Sequence, residues 1–152
     1  MNESNGIEGE NGLNPKDLEV MKRVMKHGIN THEELLDIHG MLTEHLNVNW
    51  SGKWRTCQVY IGDHVPPHEE LIPTIMEHFF ETQEDYDSWE WHNIFEHIHP
   101  FVDFNGRTGR LLWLSKARNE GYKFRIPFLQ MYYYQTLQHT QKGAKIHGST
   151  RL

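Results

Sequence analysis

IFEHIHPFVDFNGRTGRLLWL, residues Ile94 to Leu114, is the stretch on which the reading of this chain turns. Before it and in its first part, Trp91, Ile94, Phe95 and Ile98 recur at helical spacing; at its end Leu111, Leu112 and Leu114 resume the pattern. Between the two helices lies a polar loop with one imidazole (His99), one carboxylate (Asp103), an Asn-Gly pair (Asn105, Gly106) and two guanidiniums three residues apart (Arg107, Arg110). A tight turn running into a helix N-terminus leaves backbone N–H groups pointing the same way, which makes a nest for an anion, and phosphate fits it.

The neighbouring side chains suit that guest. Arg107 and Arg110 share one face of the new helix and can grip phosphate oxygens in bidentate fashion. Asp103 can hold Mg²⁺, which binds through one or two carboxylates together with phosphate oxygens. His99, closing the preceding helix, is placed to act as a general base near neutral pH. An ordinary capped helix-loop-helix accounts for any one of these residues, but not for the ordered set.

HPFVDFNGRTGR resembles the Fic-domain signature, His-x-Phe-x-(Asp/Glu)-(Gly/Ala)-Asn-(Gly/Lys)-Arg-x-x-Arg, through His99, Phe101, Asp103, Asn105, Gly106, Arg107 and Arg110. The resemblance implies an all-α Fic-type fold with a small β-hairpin flap. It also implies a protein adenylyltransferase that moves AMP from ATP to a Ser, Thr or Tyr hydroxyl of a target protein, itself included. His99 is then the base, Asp103 the Mg²⁺ ligand, and Phe104, Asn105, Gly106, Arg107, Gly109 and Arg110 the phosphate-binding set. Phe101 packs beneath the loop. Phe104 departs from the pattern, standing where the family has Gly or Ala. Because Ala is accepted there, an ordinary negative φ is expected, with the ring narrowing the site or changing nucleotide preference. Gly106, rather than the lysine of the phosphotransferring Doc relatives, argues against phosphate transfer. AMP removal, use of another nucleotide, and a catalytically dead nucleotide-binding module stay open as alternatives.

The same resemblance extends to the N-terminus, where Ser4-Asn5-Gly6-Ile7-Glu8-Gly9 is similar to the Ser/Thr-x-x-x-Glu-Gly/Asn inhibitory motif of many Fic proteins. It implies that Ser4 and Glu8 are regulatory, with Glu8 laid against Arg110. The expected division is an inhibitory segment over 1–13, a Fic domain over 14–141 and a tail over 142–152.

Composition agrees with one globular domain: 152 residues, 37% hydrophobic and 24% charged. A single cysteine, Cys57, permits no internal disulfide and suits a reducing cytoplasm. A net charge of −6 argues against general nucleic-acid binding. No apolar run is long enough to suggest a membrane partner; homo-oligomerisation is left open. Twelve histidines invite a metal-hydrolase reading. His-Glu-x-x-His is absent, however, and His92 and His97 do not share a helical face, so most of the histidines are expected to be solvated.

Asn14-Pro15 starts a helix with Leu18, Met21, Val24 and Met25 apolar, ending at Gly28. Thr31-His32-Glu33-Glu34 matches a capping box opening a second helix with Leu35, Ile38, Leu42 and Leu46 inward. WRTCQVYI, Trp54 to Ile61, reads as a ribbon or hairpin. By the resemblance it is the flap that aligns the target by adding a strand, with Val59, Tyr60 and Ile61 as aligning positions. A helix over 68–81, broken or restarted at Pro73, precedes the signature. A last helix after Pro127 carries Tyr133 and Tyr134, which the resemblance sets beside the nucleotide base.

Overall fold

Five α-helices, joined by loops and three 3-10 turns, carry residues 15–121, which are the residues described in this computed structural model. Helix α1 (Pro15–His27) has proline at its first position, where the missing N–H costs nothing. It buries Val20, Met21 and Val24, with Leu18 and Met25 half-buried at its margin. Gly28 ends it at φ 78°, donating its N–H to the Val24 carbonyl at 2.7 Å. Helix α2 (His32–Thr43) starts as expected, the Thr31 hydroxyl accepting from the Glu34 N–H at 3.1 Å. The reciprocal bond slips by one residue: the Glu34 carboxylate accepts from the Asn30 N–H at 2.7 Å.

Helix α3 (Ile72–Glu81) follows a 3-10 turn over Glu69–Leu71, with Pro73 in its first turn, so the proline marks a fresh start rather than a kink. Helix α4 (Ser88–Ile98) opens on a full capping box between Asp87 and Glu90. Helix α5 (Asn105–Asn119) is followed by Gly121 at φ 98°. The all-α reading is correct for the described residues.

Helices α4 and α5 form the most extensive pairing and hold the loop between them. Leu111, Leu112 and Leu114 from α5 meet Trp91 and Phe95 from α4 in a core completed by Met21, Val24, Leu35, Ile38, Ile72 and Met76. Trp91 stacks on Phe79 with ring centroids 4.3 Å apart and donates its indole N–H to the Phe79 carbonyl at 3.2 Å. Each such buried side chain contributes about 1.5–3 kcal/mol by leaving water, so the two helices flanking the loop are anchored in the core.

The expected hairpin is corrected. Among the described residues there is no β-strand, and residues 54–67 form an extended loop with one antiparallel bridge, Ile61 to His64, around Gly62 at φ 58°. Opposite Gln58 and Val59 come Val65, Pro66 and Pro67. Prolines have no N–H to donate to a ladder. The Gln58 amide instead donates to the Pro66 carbonyl at 3.1 Å.

Candidate active site

His99 is the residue at which α4 stops. It adopts a left-handed backbone, φ 52° and ψ 62°, donating its N–H to the Phe95 carbonyl at 3.0 Å. This turns the chain out of the helix and leaves the imidazole partly buried at the mouth of the loop, with Nδ1 shielded from water and without a hydrogen-bond partner. Burial lowers the His99 pKa to about 4, with Glu96 and Asp103 opposing the shift and Arg55 and His64 adding to it. The ring is therefore neutral at pH 7, the form a general base needs.

The interior of the loop is locked twice. Asn105 closes a pair of bonds on the backbone of Phe101: its Oδ1 accepts from the Phe101 N–H at 2.9 Å and its Nδ2 donates to the Phe101 carbonyl at 2.8 Å. The Asn105 side chain is thus a strut, and what it offers an anion is its backbone N–H. Phe101 is fully buried, as expected, and stacks on His39 with centroids 3.8 Å apart and planes within 3°. His39 Nε2–H donates to the Asp103 carbonyl at 3.0 Å while its Nδ1 accepts from the Gly52 N–H at 3.0 Å. Both nitrogens are used by the neutral ring, and burial lowers its pKa to about 4.

Phe104 corrects the sequence expectation directly. Its backbone is left-handed, φ 67° and ψ 23°, as the residue that caps α5. Every residue but glycine is disfavoured there, by about 1–2 kcal/mol, which gives the family's Gly a physical reason. Compensation comes from the Asp103 carboxylate, accepting the Phe104 N–H at 2.8 Å, and from the Arg107 guanidinium, 4.4 Å above the centre of the Phe104 ring. The α5 ladder begins with the Thr108 N–H on the Phe104 carbonyl at 3.1 Å. The Asn105 and Gly106 N–H groups precede it and have no acceptor inside the helix, so their positive pole faces the loop beside the exposed Asp103.

Arg107 and Arg110 lie one turn apart in α5 and are both largely buried. Arg110 donates to the carbonyl of Gly106 in its own helix. Gly109, expected in the phosphate set, lies at the contact between α4 and α5, where a Cβ would strike the Glu96 carboxylate. That carboxylate is 3.1 Å from His92 Nε2, without hydrogen-bond alignment. His39 and His92 are thus buried exceptions to the expectation of solvated histidines. Among the described residues no group of three or more His, Cys, Asp or Glu side chains forms a metal cage.

Of the flap positions, Tyr60 is exposed, Val59 and Ile61 are half-buried, and Ile61 exchanges both backbone bonds with His64. Ser4, Glu8, Tyr133 and Tyr134 lie outside the described residues. Two residues escaped the sequence reading. His39 falls on the apolar stripe of α2, four residues after Leu35 and three before Leu42, a signal that it is buried. Arg55 is 1% exposed and donates to the His99 carbonyl at 2.6 Å; nothing in the local sequence announces that contact.

The Fic/DOC family profile matches residues 29–115, more than half of the chain, including the loop from His99 to Arg110 together with His39 and Arg55. This chain belongs to the Fic/DOC family. The Fic loop is therefore the stretch from His99 to Arg110. Among similar proteins, the protein adenylyltransferase Fic of Aedes aegypti is 33% identical over 108 residues, covering 65% of this chain and 22% of the relative. The protein of the same name from Drosophila grimshawi is 33% identical over 101 residues, covering 60% and 21%. The chain thus spans about a fifth of the length of these curated relatives. The crystal structure of a Fic family protein from Desulfovibrio desulfuricans G20 superposes with a TM-score of 0.59 at 25% identity, covering 91% of this chain and 50% of that one. No helix among the described residues is long and apolar enough to cross a membrane.

Proposed function

We propose that this Fic domain is a protein adenylyltransferase, transferring AMP from ATP to a hydroxyl side chain of a protein, its own chain included, in the reducing cytoplasm. The observation that carries the reading is the pairing of a neutral His99, set by a left-handed cap, with the unladdered amides of Asn105 and Gly106 across one loop. Those amides and Arg107 hold the β-phosphate. His99 takes the proton of the acceptor hydroxyl as its oxygen bonds to the α-phosphorus; the α–β bridging bond breaks and pyrophosphate leaves. The exposed Asp103, alone in its loop, suits Mg²⁺ better than a closed cage does, because Mg²⁺ retains water and shares phosphate oxygens. When bound there, the ion would neutralise phosphate charge. Val59, Tyr60 and Ile61 align the target segment, and Tyr133 and Tyr134 border the base. Glu8 restrains the enzyme by pairing with Arg110, a role supported by the N-terminal motif alone; it sets a carboxylate where the γ-phosphate must lie.

Incubation of the full chain, Glu8→Gly and His99→Ala with ATP and Mg²⁺, followed by mass spectrometry of the protein, tests this. AMP is expected on the wild type. His99→Ala should be slower by roughly 10²–10⁴-fold, and Glu8→Gly faster by about tenfold or more for each ~1.4 kcal/mol of restraint removed. Transfer by His99→Ala at the wild-type rate overturns the mechanism. A Glu8→Gly variant no faster than wild type removes the inhibitory role. ATP binding without any label on any variant identifies an inert nucleotide-binding module.

A further inference from the structure

Helix α4 ends beside the Fic loop, and a helix end leaves its last carbonyls without donors from its own ladder. Here four consecutive carbonyls are met by one remote segment. His64 Nε2 bonds the His97 carbonyl at 2.8 Å, and Arg55 reaches Ile98 from Nη2 at 3.3 Å and His99 from Nε at 2.6 Å. The Arg55 backbone N–H donates to Pro100 at 2.9 Å. The same guanidinium turns the other way to the flap segment, donating from Nη1 to Cys57 at 2.8 Å and from Nη2 to Pro67 at 2.7 Å. One buried side chain therefore fastens both ends of residues 57–67 to the carbonyl of His99.

The chemistry explains why arginine does this. A guanidinium offers five donors in a rigid fork and keeps its charge when buried, whereas an ammonium offers three from a single point. Among the described residues the side-chain bonds of Arg55 all go to carbonyls, which matches the negative pole of a helix C-terminus. Desolvation lowers its pKa, with nearby Cys57 and Glu69 opposing. Arg118 shows what a simple cap looks like. It donates to Met25 at 2.8 Å and Lys26 at 2.9 Å, closing the end of α1 with no bond to the Fic loop or the flap.

We propose that Arg55 is a positioning residue that makes the flap and His99 one unit, so that the target strand along Val59–Ile61 and the base that meets its hydroxyl are set in register by a single guanidinium. The proposal rests on the transfer reading above. It assigns Arg55 no contact with nucleotide, so ATP binding is left to the α5 end of the loop.

The test uses the full chain with Arg55→Met, Arg55→Lys and, as a cap remote from the loop, Arg118→Met. Four quantities are measured: automodification with ATP and Mg²⁺, ATP affinity by calorimetry, unfolding temperature, and amide hydrogen exchange at Ile61 and His64. Arg55→Met should slow transfer by about 100-fold, the scale of a small misplacement of reacting groups, while ATP affinity stays within about threefold. Exchange at Ile61 and His64 should accelerate by about tenfold or more as the flap opens locally. Arg55→Lys, with fewer donors, should recover part of both losses together, and it carries the test if the methionine variant does not fold. Arg118→Met should lower the unfolding temperature and leave transfer within about twofold. The proposal is overturned if transfer slows without faster flap exchange, if exchange quickens without slower transfer, or if Arg118→Met slows transfer as much as Arg55→Met. Should the wild type transfer nothing, the transfer reading fails separately. Exchange at the flap and the resonance signal of the His99 ring then decide the coupling: both shifting in Arg55→Lys supports it, and only one shifting overturns it.

Discussion

The two helix ends that frame the Fic loop are both left-handed at their hinge, His99 at φ 52° and Phe104 at φ 67°, yet they offer opposite things. At the α4 end, carbonyls face a buried cation, Arg55, which is part of the protein. At the α5 end, the amides of Asn105 and Gly106 face a loop edge carrying the exposed Asp103. One pole is satisfied by the protein's own cation, and the other presents amides of the kind that suit an anion. The lesson is a division of labour: the closed end fixes where His99 stands, and the open end keeps backbone amides without partners inside the helix at the loop edge.

The sharpest way to break that comparison is to remove the strut between the ends. Asn105→Ala deletes both bonds to the Phe101 backbone and leaves a buried N–H and C=O without them. It should cost about 2–4 kcal/mol in urea unfolding. An unchanged midpoint would mean that the ends hold their geometry independently.

A smaller effect comes from pH, because the open end is steadied by a ring that must be neutral. His39 has a pKa of about 4 in the folded chain against 6.5 unfolded. Between those values the unfolded state holds the extra proton, so this stability is present above pH 6.5 and lost as pH falls towards 4. At pH 5 the loss from His39 is on the order of 2 kcal/mol, and His99 shifts in the same direction. Urea unfolding at pH 7.5 and pH 5 measures it; stability that is flat or rises on acidification would show that these rings are not held neutral.

The smallest effect sharpens the reading of the left-handed hinge. If φ is positive at 104, Phe104→Gly should be more stable than Phe104→Ala by about 1 kcal/mol, the reverse of their order inside a helix. Paired thermal melts decide it, and alanine matching glycine would place the residue back in ordinary backbone space.

How much was legible can be seen in three residues. Arg107 was legible in its place one turn before Arg110 on α5, which helical spacing fixes, but not in its stacking over the Phe104 ring. His39 was half legible: its place on the α2 stripe signals burial, but not the stacking on Phe101 or the bond to the Asp103 carbonyl. Arg55 was opaque, since its partners are backbone carbonyls of residues that bear no mark of accepting it. The hairpin failed for a related reason. Local β-propensity favoured a ladder, and Pro66-Pro67 together with the Gln58 amide withheld or diverted the bonds it required.

By itself the sequence determined the helical periods, the caps at Thr31 and Gly28, and the order of chemical groups from His99 to Arg110, because these depend on contacts within a few positions of the chain. Tertiary structure alone decided the neutrality of His39 and His99 and the clasp of Arg55 on the end of α4. Each of these depends on burial or on carbonyls supplied from far along the chain, and burial and carbonyl direction exist only once the helices have packed.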